Sequence, residues 1–284
     1  NARASKDSMQ DYHQVGRDHW KRRSDAWVAT APTGLSTDDT LNQLIIQNLN
    51  IKAGENVLDL GSGTGDPAIT ISLSLDESGT VTACDLTPEM LVTARSRANY
   101  IGLSVVRFAA ADMKDLAFAD NSFDCVTCRF GLMFPEDKVS AAKEVRRVLK
   151  VGGRVGYMVW GPYNENPSFF VIRRAIAQAL GNVEGPPPHR HNLGAPGLLL
   201  NILNAAAFDG VEEREVRYKR PVEDLGSYIR RALARGYSDM IDRMTNTELE
   251  TLINKIHVAF EPYREKGKVF MPNSTRLGIG WKTF

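Results

Sequence analysis

Val57-Leu-Asp-Leu-Gly-Ser-Gly-Thr-Gly65 decides how this chain is read. The residues Asn56–Leu60 form a short apolar run of the kind that suits a strand buried on both faces. Three glycines follow at alternate positions, Gly61, Gly63 and Gly65, and a helix is expected to begin near Pro67. Glycine permits a tight turn and lets a ligand approach the main chain with no Cβ in the way. Backbone amides at a helix start also favour a negative group such as a carboxylate. A glycine-rich loop of this kind is by itself weak evidence for any one ligand.

Outward from the loop, residues 40–160 alternate strand and helix, which signals βαβ units and a parallel sheet. Further strands are expected at Thr80–Asp85, 105–110, Phe123–Arg129 and 154–159. Thr87-Pro88-Glu89 supplies an N-cap, a first-turn proline and a negative charge at the positive end of a helix dipole. The inward face of that helix is Leu91, Ala94, Ala98 and Ile101. Pro135 is read as opening the next helix, with Val139, Ala142, Val145 and Leu149 inward and Gly152-Gly153 closing it. Beyond Trp160 the texture changes. Gly185-Pro-Pro-Pro188-His-Arg-His191 excludes regular helix or central strand, because consecutive prolines remove backbone donors. A short helix near 197–206, a strand near 211–219, two or more helices over 223–265 and a final strand over 269–281 complete the reading.

Two acids give the loop a context. Asp85 ends the second strand, 20 residues past Gly65, where a carboxylate can accept both hydroxyls of a ribose. Asp112 ends the third strand. The carboxyl ends of neighbouring parallel strands are where open α/β sheets bind ligands. A dinucleotide fingerprint needs G-x-G-x-x-G, whereas the sixth position here holds Asp66 or Ala68, depending on the register. Asp66 is also expected to place a negative charge near any diphosphate. A cofactor without phosphate suits it better.

With these residues in view, the chain resembles the class I S-adenosylmethionine-dependent methyltransferases. The branch it resembles is that of the ubiquinone and menaquinone C-methyltransferases, the methyltransferase type 11 group. The matching stretches are Val57–Gly65, residues 81–91, Ala111-Asp112-Met113 with Leu116, Asn121-Ser-Phe-Asp124 and Leu149-Lys-Val-Gly-Gly-Arg154. The resemblance implies an α/β fold, doubly wound, with a mostly parallel seven-stranded Rossmann-like sheet and a helical cap. It implies S-adenosyl-L-methionine as cofactor, with Gly61, Gly63 and Gly65 cradling its methionine end and Asp59 buttressing the loop. Asp85 would hold the ribose hydroxyls, Leu86 would flank the adenine, and Asp112 would accept the adenine amino group with Met113 beside it. Arg129, opening Arg129-Phe-Gly-Leu132, would sit where the sulfonium faces the methyl acceptor. Strands six and seven adjoin as a hairpin in the family, so the helical stretch between their counterparts implies a large cap.

Methyl transfer needs alignment and exclusion of water, and a base only when the acceptor must lose a proton. Histidine is the side chain suited to that near neutral pH. His13 and His19 lie on an expected aromatic helix over residues 9–31, where His13, Trp20 and Trp27 share a stripe at seven-residue spacing. That helix reads either as packing on the body or as a lid. His13, His19 and Arg129 are therefore the catalytic candidates. Tyr12, Trp20, Trp160, Tyr163, His189 and His191 are the candidate acceptor contacts, with Phe169-Phe170 extending the aromatic wall. His257, in an amphipathic helix, is left aside.

The 35 basic and 34 acidic residues nearly cancel, to a formal charge of +1, which disfavours nucleic acid as a partner. Lys21-Arg-Arg23, Arg217 to Arg220 and Arg230-Arg231 read as solvated faces. Cys84, Cys125 and Cys128 all fall in strands, and the C-x-x-C pair would point to opposite faces, so no metal or redox role is expected. No run of about 18 apolar residues suggests a membrane span. The expected organisation is a lid over 1–40, a cofactor-binding unit over 41–222 with a substrate loop at 160–197, a cap insertion over 223–266, and a final strand over 267–284. The expectation is a cytoplasmic monomer or homodimer that methylates an O, N or C atom of a small, aromatic or polyketide-like molecule. A methyltransferase acting on RNA or protein, and a non-catalytic protein of the same fold, are the competing readings.

Overall fold

The computed structural model describes residues 21, 23–35, 40–75 and 78–284. Eight strands form one sheet: β1 (Asn56–Leu60), β2 (Thr80–Asp85), β3 (Val106–Ala110), β4 (Phe123–Arg129), β5 (Leu149–Trp160), β6 (Asp209–Val222), β7 (Arg264–Glu265) and β8 (Lys268–Trp281). Their order is β3-β2-β1-β4-β5-β8-β6, with the two-residue β7 paired to the start of β8. β1 to β5 run parallel, and β8 enters antiparallel between β5 and β6. The expected seven strands are the seven of this path. The crossover on either side of β1 reverses the strand order there, and the glycine loop leaves the sheet at that point.

Eight helices are α1 (Thr40–Leu49), α2 (Ala68–Ser74), α3 (Pro88–Tyr100), α4 (Lys138–Val148), α5 (Pro167–Ala179), α6 (Leu198–Ala205), α7 (Leu225–Ile241) and α8 (Asn246–Ala259), and residues 23–29 are also helical. α4 and α6 cover one face of the sheet, burying Leu58, Val126, Cys128, Tyr157 and Val159. α1 and α2 cover the other, over Val57, Val81, Cys125 and Met158. Cys125 and Cys128 therefore face opposite layers, and burial pushes each thiol up to about 12.

The insertion between β6 and β8 has an apolar cluster of its own. Leu225, Ile229 and Leu233 of α7 meet Leu252, Ile253 and Ile256 of α8 and Val171, Ile172 and Ile176 of α5, on Val269 and Met271 of β8. Burying each such side chain contributes about 1.5–3 kcal/mol. β6 and β8 still pair from Val222↔Val269 to Asp209↔Trp281, so the two strands stay neighbours with the cap grown out of their connection. No helix among the described residues is long and apolar enough to cross a membrane.

Three local expectations shift. α4 starts at Lys138 and not at Pro135, because Asp137 caps it by accepting the Ser140 amide at 2.8 Å. Gly152-Gly153 do not close that helix, which ends at Val148; they lie inside β5, where pairing with β4 and β8 overrides the local turn signal. α5 has no counterpart in the sequence reading. Its start, Asn166-Pro167, carries the first-turn proline of a helix, and its apolar face is Val171, Ile172, Ala175 and Ile176.

Candidate functional site

Gly61, Gly63 and Gly65 all adopt positive φ, at 65°, 53° and 110°. Only glycine takes such angles without strain. A Cβ on Gly65 would fall 2.7 Å from Ile69 Cδ1, and one on Gly61 would fall 3.4 Å from the Gly131 backbone. Asp85 closes the loop from β2. One carboxylate oxygen accepts the Gly63 amide at 2.8 Å and the other accepts the Thr87 amide at 2.8 Å. Burial pushes the Asp85 carboxyl up, and these amides oppose the shift. Leu86 follows, half-buried. Asp112 accepts the Lys114 amide at 2.8 Å, so one of its oxygens shapes the turn after β3. Met113 beside it packs on the core, its Cε 3.4 Å from where a Cβ on Gly131 would sit.

Beneath the loop, Asp59 is wholly buried and accepts the Thr127 hydroxyl at 2.7 Å through Oδ1, while Oδ2 has no partner among the described residues. Burial lifts its carboxyl to about 7 against the opposing Thr127 hydroxyl. Arg129 reaches back over the loop, Nη2 to the Asp66 carbonyl at 3.5 Å, and its buried Nε is unpartnered among the described residues. An unmet acceptor and an unmet donor thus lie at the carboxyl ends of β1 and β4.

Asp66 behaves differently from its sequence reading. Its carboxylate pairs with Arg97 at 3.0 Å, and Arg97 is only 2% exposed. The same guanidinium donates to the Thr64 carbonyl at 2.6 Å and the Gly34 carbonyl at 3.0 Å. The charge of Asp66 is neutralised inside the protein, so it does not argue against a diphosphate.

Beside the loop an aromatic ribbon runs toward the cap. Phe130, with φ of 62°, stacks on Trp160 at 4.0 Å and 3°. A bulky residue in the left-handed region is strained, and such strain concentrates at functional positions. Trp160 meets Phe169 edge-on at 4.9 Å, Phe169 meets His191 at 5.0 Å, and His191 meets Tyr163 at 5.3 Å. His191 Nδ1 lies 2.9 Å from the Gly161 carbonyl, which can only accept, so Nδ1 carries the proton and Nε2 a lone pair. That Nε2 is buried with no partner among the described residues. Burial lowers the ring to about 4, so it is neutral at pH 7. Tyr163 is tied through its hydroxyl to Glu184. His189 stands apart, exposed, its Nε2 accepting from Asn192 Nδ2 at 2.9 Å.

The cap closes on this ribbon. Arg235 of α7 lies 4.1 Å over the Trp27 ring and donates to the Thr30 hydroxyl at 2.7 Å, fixing residues 23–30 to the cap. Arg190 lies 5.0 Å over the Phe169 ring. Tyr12, His13, His19 and Trp20 lie outside the described residues. Of the other candidates, the structure brings Asp59, the three glycines, Asp85 and Arg129 together at the loop, and Trp160, Tyr163 and His191 together in the ribbon. Phe130 falls in the Arg129–Leu132 segment that the resemblance implies at the site, whereas Arg190 and Arg97 were not singled out from the sequence; a lone arginine in a strand-helix pattern carries no local mark of its partner.

Residues 34–164 match the model of the ubiE/COQ5 methyltransferase family. The ubiquinone/menaquinone biosynthesis C-methyltransferase UbiE of Bdellovibrio bacteriovorus is 39% identical over 120 residues, which cover 42% of this chain and 50% of that protein. The chain thus spans about half the length of the curated relatives it matches. Among solved structures, the YcgJ protein from Bacillus subtilis aligns with a TM-score of 0.56 at 22% identity, over 86% of this chain and 98% of that one. The [4+2]-cyclase SpnF aligns at 0.58 and 21% identity, over 95% and 96%. At such identities the likeness is one of fold.

Proposed function

As a relative of the ubiE/COQ5 methyltransferases over residues 34–164, the chain is, we propose, an S-adenosylmethionine-dependent methyltransferase acting on a small aromatic molecule. The observation that carries this reading is the loop of three positive-φ glycines clamped by Asp85 at the carboxyl edge of the sheet. The residues present fit the cofactor. Three positive-φ glycines, at one of which a Cβ would meet Ile69 at 2.7 Å, leave a bare backbone that suits a ligand lying on it. The unmet Oδ2 of Asp59 suits an ammonium group, and the unmet Nε of Arg129 suits a carboxylate; an amino-acid end offers both. Asp85 would hold the ribose hydroxyls, Leu86 would flank the adenine, and Asp112 would accept the adenine amino group beside Met113.

When bound, the cofactor supplies a methyl group made electrophilic by its sulfonium. The protein's own contribution is to orient the acceptor on the Phe130–Trp160 wall and to exclude water beneath the cap. Arg129, drawn toward the Asp66 carbonyl, serves the cofactor's carboxylate on this reading and takes no part in proton transfer.

Isothermal titration with S-adenosylmethionine tests the reading on wild type and on Asp85→Asn. Wild type is expected to bind, and the variant to bind about 10–100-fold more weakly, the usual consequence of losing a charged hydrogen bond. A wild type that gives no binding, or a variant that binds equally well with an unchanged melting curve, sinks the assignment.

A further inference from the structure

One short turn, His189–His191, carries two groups that the cofactor reading leaves unused, the Arg190 guanidinium and the buried, unpartnered Nε2 of His191. They are neighbours in sequence and both touch Phe169, Arg190 on its face at 5.0 Å and His191 on its edge at 5.0 Å. Arg190 forms no ion pair with a carboxylate among the described residues. The groups acting on it are the Tyr237 phenol of α7 and a second cation, Arg23. Lys21-Arg-Arg23 is therefore not simply a solvated face, since Arg23 is half-buried and turned to this seam. A guanidinium withdrawn from water beside another cation, with no acid pairing it among the described residues, costs stability unless something anionic arrives. His191 adds a fixed, neutral hydrogen-bond acceptor, Nε2, at the same place.

We propose that the ribbon receives a hydroxylated arene bearing a carboxylate, with Arg190 and Arg23 holding the carboxylate and His191 Nε2 accepting the hydroxyl proton. A guanidinium fork matches a carboxylate in two parallel hydrogen bonds, which a neutral ester cannot reproduce. A lone pair fixed by the Gly161 carbonyl accepts from a phenol and gains nothing from a bare ring. Phe130, Trp160 and Phe169 supply the apolar faces between. This inference rests on the methyltransferase reading and narrows its acceptor to anionic hydroxyarenes. His191 is a positioning residue here, since it orients the hydroxyl and is too weakly basic to remove its proton at neutral pH.

The full chain, saturated with S-adenosylhomocysteine so that no turnover occurs, is titrated with the three hydroxybenzoates, their methyl esters and benzoate. The best hydroxybenzoate is expected to bind at least about 10-fold tighter than its ester, as charged hydrogen bonds imply. Arg190→Met should erase that gap by weakening the acid alone, leaving the ester within about 2-fold. Arg190→Lys should keep part of it, which guards against a variant that merely unfolds. His191→Phe should erase the preference for hydroxybenzoate over benzoate and leave the acid–ester gap in place. Equal binding of acid and ester by wild type, no binding of any hydroxybenzoate, or a gap that survives Arg190→Met overturns the proposal. The titration with S-adenosylhomocysteine itself separates the failures: no binding there fails the methyltransferase reading, while binding there without the acid–ester gap fails only this inference.

Discussion

At the carboxyl ends of β1 and β2 the contacts are carried by backbone: glycine dihedrals, two amides on Asp85, a carbonyl on Arg97. At the seam of cap and ribbon they are carried by side chains alone, Trp27 with Arg235, Phe130 with Trp160, and Phe169 with His191. The first region has little room to vary, because its shape is a backbone shape. The second can change its occupant by exchanging rings and charges on an intact frame. That division suits an enzyme whose cofactor is constant and whose acceptor is not.

The same contrast appears in the buried titratable groups. Asp59 and His191 are both perturbed chiefly by burial, which disfavours whichever form is charged, so the acid rises to about 7 and the base falls to about 4. Each ends neutral in the cofactor-free protein near pH 6. Each also leaves an atom, Oδ2 or Nε2, waiting for a ligand.

The largest expected effect lies in the backbone-borne region. Gly65→Ala asks an alanine to sit at φ of 110° with its Cβ 2.7 Å from Ile69 Cδ1. Strain and overpacking together should cost about 3 kcal/mol or more. Thermal melting should drop by many degrees and S-adenosylmethionine titration should show no binding. A variant that melts and binds like wild type would mean the loop is not held as rigidly as its dihedrals imply.

Asp59→Asn should act with opposite signs on stability and on binding. The carboxyl ordinarily titrates near 3.8 and is lifted to about 7 in the fold. Between those values the folded protein holds a proton that the unfolded chain has released. The group's contribution to stability is therefore lost as pH rises through that window, and the deficit persists above it. Asparagine keeps an oxygen for Thr127 and never ionises. Without cofactor, the variant should melt higher than wild type at pH 8, by an amount on the order of 2–4 kcal/mol, with the gap closing below pH 4. Cofactor binding should weaken at the same time. His191 works the other way, since stability held above its ordinary 6.5 is lost as pH falls toward about 4, so His191→Phe should flatten the acid limb that Asp59→Asn leaves alone.

How much of this was legible beforehand follows the same line. The strand, three alternate glycines, and acids at the ends of β2 and β3 are local facts, and spacing alone placed them at one edge of one sheet. The seven strands and the helical insertion were also readable from composition and period, whereas the order of the strands and helix α5 were not. What spacing could not reveal is which distant group answers each charge. Asp66 looked like a charge facing a ligand, yet Arg97, 31 residues on, neutralises it. Asp112 read as a ligand acid, and one of its oxygens holds the Lys114 amide of its own turn. Trp160, Tyr163 and His191 were grouped after β5 by the sequence alone, but the tautomer of His191 depends on the Gly161 carbonyl. Arg190 had no sequence mark, because its significance is the lack of a paired acid among the described residues in three dimensions.

The smallest expected effect tests whether the two regions are separable. Thr245 and Glu248 form a reciprocal cap at the start of α8: the Thr245 hydroxyl accepts the Glu248 amide at 3.3 Å, and Glu248 accepts the Thr245 amide at 2.8 Å. Thr245→Ala removes one half of it and should cost about 1 kcal/mol. Neither residue touches the glycine loop or the ribbon. Leu252, Ile253 and Ile256 should still pack on α5 and α7, so the loss should appear as faster hydrogen exchange in α8, within a cap that stays folded. Affinity for S-adenosylhomocysteine should stay within about 2-fold, since a loss of that size, if confined to the cap, never reaches the loop. Affinity for the acceptor should fall only to the extent that α7 transmits the loosening to Arg235 and Trp27. If cofactor affinity falls as far as acceptor affinity, the frame and the cap unfold as one unit, and the division between a fixed cofactor end and an exchangeable acceptor end fails.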